Sequence, residues 1–595
     1  MFAAFGALYA AALGCDGSAG SAGRTGLDGA IGSDAPDAPA LPPDGGPPDG
    51  GEPETGPGPE GTATVELPRL PTDPALTRLL VPGAARLLGN YEVERCSRSG
   101  AGTAADIFCA FSLPTVGGRT ELWVINVTKV AAGAAIPCDG SSPDCRRLTE
   151  NLWTGTPIWG PSHPLTHRFE GDTLFFHADA LSDRDPYEGG VYAWRPAWSA
   201  ARRLTSETGV FCVAQASSTA VLCVDAAEIE RTGPSVFDRP ILRGFELRGG
   251  HLLTEPTGPL PTLGRQSTGL EDLRWQGGPS PDGKYLAYEA AGAPTEKRSL
   301  VILATDAPPG APPVATLPDA ADWQIAHDGA KIYYLAGYDR SLADEATGTL
   351  MVADFPSGAA PVELADDVAY FQLLGARPDA PSSVDRGVLL AYRGTGGALE
   401  YALLPDRTLP QQVVALGSRL SGVQVATDGR HTVYFQDLPQ ANFPVAFVAP
   451  NGQPPCRLTQ DLLAETYGTY FSADGSRVFW IEYFRFGSES EEGWYAQPES
   501  CGGRTRFGDF VFQYSLVGND FVVFQGGDLA DSTSWLQFTP LGPEPDGRAP
   551  SPRIIKEHPT DAWAVVEVGG KNWVLFAVEA EQPETGLYLH GPLAR

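Results

Sequence analysis

A short motif recurs along this chain: an Asp-Gly pair followed at once by a compact run of apolar residues. Its copies read PSPDGKYLAYE (279–289), AHDGAKIYYLA (326–336), ATDGRHTVYFQ (426–436) and FSADGSRVFWIEY (471–483). An interval of 46 residues separates Gly283 from Gly329, and the same interval separates Gly429 from Gly475. Self-similarity at a period of this size predicts an architecture built from many copies of one small unit.

Each copy of the motif predicts a tight turn that leads into a β-strand. Glycine adopts positive φ without steric strain, and aspartate accepts hydrogen bonds from the backbone of a turn. We therefore expect four aspartates to form turns rather than to bind ligands: Asp282, Asp328, Asp428 and Asp474. The strands that follow are apolar at successive positions, which indicates that both of their faces are covered. In the first copy, residues 285–288 are predicted to fill the space between two sheets.

About ten units of roughly 40–60 residues follow residue 91, and each has room for a four-stranded meander. A second element also recurs, RRLT at 146–149 and 202–205 and CRLT at 456–459. Four-stranded sheets that pack in a ring leave only short, protected edges. The SPDGKYLAY and SADGSRVFW segments resemble the WD40-like repeats of TolB-type β-propellers, also called PD40. The resemblance implies an all-β propeller of four-stranded blades over 91–595. One large ring is favoured, with two smaller propellers as the alternative.

The N-terminal residues are typical of an export signal. MFAAFGALYAAALG is apolar throughout and too short to span a bilayer as a mature helix. The segment that ends at Cys15 (ALGC) resembles the lipobox of bacterial lipoproteins. That resemblance implies a signal peptide over 1–15 and a lipidated Cys15 that anchors the protein to a membrane. The alternative is a soluble secreted protein whose signal ends near a cysteine.

A low-complexity segment follows the predicted signal. Gly, Ala, Pro and Asp dominate up to about Gly61, and no aromatic residue occurs between Cys15 and Tyr91. Such a composition buries too little apolar surface to offset the entropy of ordering the chain. We predict a disordered tether over 16–90 that joins the membrane to the propeller. Residues 62–90 contain spaced leucines, so the alternative for them is an extended segment or one partly docked on the propeller. The expected location is the bacterial cell envelope, with the outer membrane favoured and the propeller facing the periplasm or the cell surface.

Eight cysteines remain after Cys15, and an even number in an exported chain predicts disulfides. Cys212 and Cys223 flank a short turn, and Cys138 and Cys145 bracket a short loop. We predict these two pairs first, then Cys96 with Cys109, which leaves Cys456 with Cys501 by elimination. The chain has no CxxC sequence, so a zinc site is not expected.

Candidate metal ligands are few, and we expect no bound metal or cofactor. His163 and His167 occur in SHPLTH with His177 further on, and we interpret them as surface or packing residues. The loop SDRDPYEGG (182–190) contains three possible calcium ligands but lacks the twelve-residue pattern of a calcium loop. These candidates are Asp183, Asp185 and Glu188.

Loops carry function in this class of fold, and three longer insertions are predicted to mark a binding face: 226–240, 254–270 and 376–386. The charged run SESEEG (488–493) is predicted to be a solvated loop tip. Both expectations concern the parts of the chain that do not repeat.

Charge and motifs restrict the function. The net charge of −31, from 73 acidic and 42 basic residues, argues against a nucleic-acid partner, because phosphate binding needs clustered Lys and Arg. No GxSxG elbow or other catalytic motif occurs in the predicted propeller. The favoured function is a membrane-anchored binding module for an envelope protein, a peptide or a glycan. The alternative is a propeller enzyme, a lyase or hydrolase that acts on a polysaccharide or peptide in the central channel.

Overall fold

A computed structural model describes Thr77–Leu79, Glu92–Arg98 and most of residues 106–594. Other residues before 106 lie outside the description, and so do several segments between strands. The longer ones are 115–118, 153–166, 180–188, 215–218, 231–240, 268–276, 291–298, 339–345, 375–386, 394–398, 405–413, 427–430, 451–454, 460–463, 485–489, 499–502, 529–532, 543–551 and 579–585. Within the described residues the chain forms one short helix and 39 strands.

The first three blades each consist of four antiparallel strands, and blade 1 also contains the helix. Blade 1 consists of β2 (Glu92–Arg98), β3 (Ile107–Pro114), β4 (Thr120–Asn126), α1 (Val127–Ala131) and β5 (Cys145–Thr149). Blade 2 consists of β6 (His167–Glu170), β7 (Thr173–Ala178), β8 (Gly190–Trp194) and β9 (Arg202–Arg203). Blade 3 consists of β10 (Gly209–Ala214), β11 (Ala220–Glu230), β12 (Ile241–His251) and β13 (Thr262–Ser267).

Blade 4 is a separate sheet, whereas blades 5 and 6 share an unusually long strand. Blade 4 consists of β14 (Gly277–Pro279), β15 (Tyr285–Ala290), β16 (Ser299–Ala304) and β17 (Ala315–Leu317). Blade 5 begins with β18 (Ala320–Ile325), β19 (Lys331–Ala336) and β20 (Gly348–Asp354). Blade 6 ends with β22 (Gly387–Arg393), β23 (Leu399–Leu404) and β24 (Val414–Ser418). The strand β21 (Val362–Leu374) belongs to both blades 5 and 6.

Blades 7 to 10 complete the series. Blade 7 consists of β25 (Leu420–Val425), β26 (His431–Gln436), β27 (Val445–Pro450) and β28 (Cys456–Arg457). Blade 8 consists of β29 (Ala464–Phe471), β30 (Val478–Phe484), β31 (Ser490–Ala496) and β32 (Arg504–Asp509). Blade 9 consists of β33 (Val511–Val517), β34 (Phe521–Asp528), β35 (Thr533–Pro540) and β36 (Arg553–Glu557). Blade 10 consists of β37 (Pro559–Val568), β38 (Lys571–Val578), β39 (Gly586–His590) and β1 (Thr77–Leu79).

The described strands form nine sheets, eight with four strands and one with seven. In the seven-stranded sheet, the first half of β21 pairs with β20, and the second half, from Val368, pairs with β22. One strand therefore serves as the outer strand of blade 5 and the inner strand of blade 6. The nine sheets thus contain ten four-stranded blades, which confirms the propeller predicted from the repeats.

The blades close into a single ring. A core cluster joins each successive pair from blade 1 to blade 6 and from blade 7 to blade 10, and β23 of blade 6 contacts β25 of blade 7. A further cluster joins blade 10 to blade 1, where Leu587 and Leu589 of β39 pack with Ile125 of β4. Two smaller propellers would instead close within the series, so the favoured single ring is confirmed.

The N-terminal strand completes the last blade. Thr77 pairs with His590, and Leu79 pairs with Tyr588, so β1 is the outer strand beyond β39. Residues 77–79 of the predicted tether therefore belong to the propeller, which fits the alternative that part of 62–90 docks on it. The segment has few apolar residues, but it can form a strand because β39 has an unpaired edge that offers backbone hydrogen bonds.

Because neighbouring strands are antiparallel, the connections of every blade fall on two opposite faces. The loop face carries the connections from the second to the third strand and from each blade to the next. The turn face carries those from the first to the second strand and from the third to the fourth. All Asp-Gly motifs join first and second strands, so they lie on the turn face.

The Asp-Gly turns form as predicted wherever they are described. In the first, the backbone N–H of Gly283 donates to the carbonyl of Ser280 at 2.9 Å, and Gly283 has φ of 70°. The Asp282 carboxylate accepts from the backbone N–H of Lys284 at 3.1 Å. Asp328 and Asp474 make the equivalent bond to the residue two places on, whereas Asp428 lies outside the described residues.

The strand after the first turn packs as its sequence predicts. Leu286 and Tyr288 are buried against blade 3, and Ala287 is buried against blade 5. Tyr285 is half-buried and packs on the same side as Ala287. Successive residues therefore point to opposite neighbours, and both faces of the strand are covered.

Two predictions about loops are corrected by the strands. The charged run 488–493 is not a loop tip, since from Ser490 onward it belongs to β31, which pairs with β30 and β32. Within the predicted insertion 254–270, residues 262–267 form β13, and the connection that leads into β13 from β12 lies on the turn face. Of the insertion 226–240, residues up to Glu230 extend β11. The range 376–386 lies outside the described residues.

Candidate functional site

A cluster of polar residues lies between blades 2 and 3, on the loop face, where β9 leads into β10. The chain approaches its neighbours closely here because β10 begins with a glycine. A methyl group on Gly209 would overlap the side chain of Thr205 and would lie 2.9 Å from the backbone nitrogen of Val191. We call the residues around Gly209 the blade 2–3 junction: His177, Asp179, Tyr192, Thr205, Ser206, Thr208, Gly209, Asp225, Glu246 and Arg248.

Hydroxyl groups fix the connection between the two blades. The Oγ1 atom of buried Thr205 accepts a hydrogen bond from Val191 N at 2.8 Å and donates to the carbonyl of Ser206 at 3.2 Å. Thr208 Oγ1 donates to the carbonyl of Ala226 at 2.8 Å. Because these bonds tie the connection to β8 on one side and to β11 on the other, the junction is held by both blades.

A buried ion pair forms the floor of the junction. Asp225 is 2% exposed, and its Oδ2 accepts from Arg248 Nε at 2.5 Å and from Ser206 N at 3.0 Å. The Arg248 guanidinium also donates to the carbonyl of Leu260 at 2.9 Å and to Glu246 at 3.3 Å. Among the described residues, no donor reaches the other carboxylate oxygen of Asp225, although it is buried. A buried acceptor without a donor is unusual in a folded protein and marks this carboxylate.

His177 approaches the same glycine from blade 2. Its Nε2 lies 2.9 Å from the carbonyl of Gly209, and Gly209 is the register partner of Asp225. Burial lowers the pKa of His177, against the opposing effects of this hydrogen bond and of Asp179. The imidazole is therefore neutral near pH 7, and because a carbonyl only accepts, Nε2 must carry the proton.

The rim of the junction is formed by a carboxylate and a phenol. Asp179 is exposed, has φ of 63°, and accepts a hydrogen bond from the hydroxyl of Tyr192. Burial and this bond to Asp179 raise the pKa of Tyr192 to about 12. Tyr192 thus stays protonated and acts as a donor at neutral pH, while Asp179 presents a carboxylate to solvent.

A long hairpin projects beside the junction. The strands β11 and β12 each have eleven residues, and their outer ends, Ile229–Glu230 and Ile241–Leu242, continue beyond the last pairs with β10 and β13. They extend on the loop face, which is where one of the predicted binding insertions, 226–240, occurs in sequence. Residues 231–240 themselves lie outside the described residues.

A second buried ion pair lies in blade 8 and serves as a contrast. Burial raises the pKa of Glu482, although Trp480 and Arg504 act in the opposite direction. Its Oε1 accepts from Trp480 Nε1 and Arg504, each at 3.0 Å, and its Oε2 accepts from Arg504 at 3.1 Å. The Arg504 guanidinium stacks 4.0 Å from the centre of the Trp494 ring. Both carboxylate oxygens are satisfied, so this network supports the packing of blades 7 and 8.

The candidate metal ligands from the sequence are mostly outside the description. His163, Asp183, Asp185 and Glu188 lie in undescribed segments, as does the side chain of His167. His177 is a packing residue of the junction, as predicted. Within the described part of the chain, no three His, Cys, Asp or Glu side chains are grouped as a metal site would require. The three possible calcium ligands of the loop 182–190 therefore stay untested candidates, and Gly189 at the end of this loop accepts a hydrogen bond from Gly209 N through its carbonyl at 3.1 Å.

Two of the predicted disulfides are present, Cys138–Cys145 and Cys212–Cys223. The second pair occupies opposed positions on β10 and β11, which is the hairpin arrangement predicted from the sequence. Cys109 is disulfide-bonded and stands opposite Cys96 in the register of β2 and β3. Cys456 is also disulfide-bonded, and its pairing with Cys501 stays a prediction, as does the Cys96–Cys109 pairing.

Sequence reasoning missed the ion pair of the junction. Asp225 and Arg248 are 23 residues apart, and neither belongs to a motif, so no local pattern connects them. Thr205 did carry a signal, because it ends the recurring RRLT element. The equivalent Thr459 of CRLT is also buried and bonds to Thr466 at 2.6 Å.

No protein-family model matches the chain, and no curated protein matches it. Similar solved structures include a eukaryotic initiation factor, at 10% identity over 66% of this chain and 87% of that one, with a TM-score of 0.40. The β-propeller domain of the Trilobed protease from Pyrococcus furiosus has 10% identity over 58% and 95%, with a TM-score of 0.29. The putative TolB from Agrobacterium tumefaciens has 15% identity over 41% and 83%, with a TM-score of 0.22. These superpositions are partial, so conclusions about the site are drawn from this chain's own geometry.

Among the described residues, no helix is long and apolar enough to cross a membrane.

Proposed function

We propose that the protein is an envelope lipoprotein, anchored through Cys15, whose propeller binds a protein, peptide or glycan at the blade 2–3 junction. The observation that carries the proposal is the buried Asp225–Arg248 pair beneath a rim of exposed and half-buried acceptors. Propellers bind ligands on the loops of one face and in the central channel. The junction lies on the loop face, beside the longest hairpin of the described strands.

The chemistry of the junction favours a ligand rich in hydrogen-bond donors. Asp179 and Glu246 offer carboxylates, and Ser206 offers a hydroxyl, while Arg248 is already engaged by Asp225 and Glu246. Hydroxyl groups of a glycan or ammonium and amide groups of a peptide are such donors. Side chains that are already held by hydrogen bonds within the protein lose little conformational entropy when a ligand binds, and this favours a high affinity.

The rim residue Asp179 provides the test of binding. Full-length protein is applied to a glycan array and to a synthetic peptide array, and the best probe is then titrated. Asp179→Asn keeps the shape of the side chain and tolerates positive φ, so we expect the fold to persist and the affinity for that probe to fall about tenfold or more, as for loss of a charged hydrogen bond.

Asp474→Asn is the matched control, since it removes one carboxylate from the turn face and should leave affinity unchanged. If the Asp179→Asn and wild-type proteins bind the probe with equal affinity, the binding site does not lie at the junction. The absence of any probe that binds above background would contradict the binding function itself.

The anchor is tested separately by Cys15→Ser. We expect the wild-type protein in the membrane fraction and the variant in the soluble fraction of the exporting cell. Labelling with a fatty-acid analogue should mark the wild type alone. A variant that stays in the membrane fraction without label would show that anchoring does not depend on Cys15.

A further inference from the structure

The ring closes at the contact between blades 10 and 1, which we call the seam. Its core combines residues from both ends of the folded chain: Ile107, Cys109, Phe111, Trp123, Ile125, Val127, Val130 and Cys145 from blade 1, with Val566, Val568, Trp573, Leu575, Ala577, Leu587 and Leu589 from blade 10. Beyond the core, β1 adds to β39 over three residue pairs. The seam is thus the one inter-blade contact at which sequence-distant segments must meet to close the ring.

The seam contains an element that other described blade contacts lack, the helix α1. The side chain of Asn126 accepts from Lys129 N at 3.3 Å and caps the first turn. Val127 and Val130 are buried in the seam core, and α1 contacts both β37 and β39 of blade 10. The helix therefore contacts both blades at the seam.

The segment that contains α1 is fastened at its far end by a disulfide. Cys138, which lies in no helix or strand, packs against the seam core and is bonded to buried Cys145 at the start of β5. Asp144, next to Cys145, binds Lys129 Nζ at 2.7 Å and the Asn126 amide at 3.1 Å. The disulfide and these polar contacts together close residues 126–145 into a compact loop over the seam.

The disulfide of blade 3 is arranged differently. Cys212 and Cys223 face each other within one hairpin, and the ladder of β10 and β11 pairs the two strands on both sides of them. Both cysteines are buried, whereas Cys138 is half-buried. A thiol reductant needs access to a sulfur atom, so it should reach the Cys138–Cys145 bond first.

We propose that the Cys138–Cys145 disulfide is a redox-sensitive fastening of the seam. A dithiol reductant attacks the bond through a mixed disulfide, both sulfur atoms become thiols, and the reductant is oxidised to a disulfide. Without the covalent bond, the segment after α1 is held only by its polar contacts and by the partly buried side chains that pack on the seam core, such as Ile136. We then expect α1 to loosen from blade 10 and β1 to separate from β39. The ring closes firmly in an oxidising compartment and opens at the seam under reducing conditions.

Hydrogen exchange on the full-length protein tests this fastening. In Cys138→Ser/Cys145→Ser, we expect peptides covering β1, β39 and α1 to exchange about tenfold faster or more than in the wild type. The matched control is Cys212→Ser/Cys223→Ser, which removes a disulfide from a hairpin away from the seam. It should leave exchange at the seam unchanged and act on β10 and β11. Equal exchange at the seam in both variants, or no increase in the first, would overturn the proposal.

Native protein provides a second measurement that does not depend on the folding of a variant. Wild-type protein is titrated with dithiothreitol, and free thiols are alkylated and mapped by mass spectrometry. We expect Cys138 and Cys145 to be alkylated at lower reductant concentration than Cys212 and Cys223, with faster exchange at β1 at that same point. Seam peptides that stay protected after alkylation of Cys138 and Cys145 would contradict the proposal.

Discussion

The Asp-Gly turns and the blade 2–3 junction lie on opposite faces of the ring and are built on opposite principles. Each turn satisfies its polar groups within a few residues, as where Asp474 accepts from Ser472 Oγ and Ser476 N at 2.7 and 3.0 Å. The junction assembles Asp225 and Arg248 with Ser206 from three separate segments and still leaves one buried oxygen without a donor among the described residues. The comparison indicates that repeated residues build the scaffold, while the unrepeated ones form the site.

The difference also has an energetic side. Turn aspartates are largely solvated, so their hydrogen bonds compete with water and contribute little net free energy each. The carboxylate of Asp225 is buried, so its hydrogen-bond partners must compensate for the free energy of desolvation. Loss of one partner should therefore cost much of the stability of the protein. Substitutions in the junction should therefore destabilise the protein more than substitutions in the turns.

The largest effect is expected for Arg248→Met, which keeps the aliphatic part of the side chain but leaves Asp225 buried without its cation. We expect the free energy of unfolding to fall by about 3 kcal/mol, as for other broken buried ion pairs. Urea denaturation followed by circular dichroism measures the change. Lys284→Met, which breaks the exposed pair with Asp282, should change it by less than about 0.5 kcal/mol. Similar values for the two variants would remove the distinction between junction and turn.

The next largest effect is expected in a turn, from Gly329→Ala. Gly329 has φ of 68°, and a methyl group there would meet nothing within 4 Å, so the effect isolates backbone strain. We expect a loss of about 1 kcal/mol in the free energy of unfolding. Gly329→Asn should lose less, because asparagine adopts positive φ more readily. If Ala and Asn are equally tolerated, the turn does not require the left-handed conformation.

A smaller effect is expected for Asp474→Ala, about 1 kcal/mol or less at pH 7. Burial raises the pKa of Asp474, but hydrogen bonds from Ser472 and Ser476 outweigh it, and the pKa is lowered overall. Because the pKa of this carboxyl is lower in the folded state than in the unfolded state, where it is near 3.9, the ionised carboxylate stabilises the protein at pH values above about 3.9. This stabilisation is lost as the pH falls through the folded-state pKa. The difference between wild type and variant in urea midpoint should thus shrink below about pH 4. A difference that is the same at pH 7 and pH 2 would assign the effect to packing.

The smallest effect concerns the pH dependence of the junction through His177. Burial lowers the pKa of His177 in the folded state. At pH values above its unfolded-state pKa, near 6.5, the imidazole is neutral in both states, so it contributes no pH dependence to stability there. As pH falls from about 6.5 towards the folded-state value, the unfolded state binds a proton first and stability is lost. His177→Gln retains a donor for the carbonyl of Gly209 and should flatten the urea midpoint between about pH 6.5 and 5. An unchanged slope in this variant would place the titration elsewhere.

Much of the scaffold could be predicted from local patterns. The turn at Asp282-Gly283, the covered strand that follows it and the Cys212–Cys223 hairpin depend on residues close in sequence, and the structure contains all three. Which residues of 62–90 dock on the propeller could not be predicted, because residues 77–79 form a strand only by pairing with β39. The run 488–493 was misassigned from Ser490 onward, since Glu491 and Glu492 lie in β31, where Glu492 forms an ion pair with Arg506 at 2.8 Å.

The sequence by itself determined the blade, because a four-stranded meander is specified by turn residues and apolar strands within about fifty residues. Only the tertiary structure decided that ten blades form one ring, since closure brings β1 to β39 from the other end of the chain. The junction required it too, because Asp225 and Arg248 meet through the pairing of β11 with β12, and Ser206 joins them from the connection between blades 2 and 3. Their meeting depends on the register and packing of whole sheets, which no local pattern encodes.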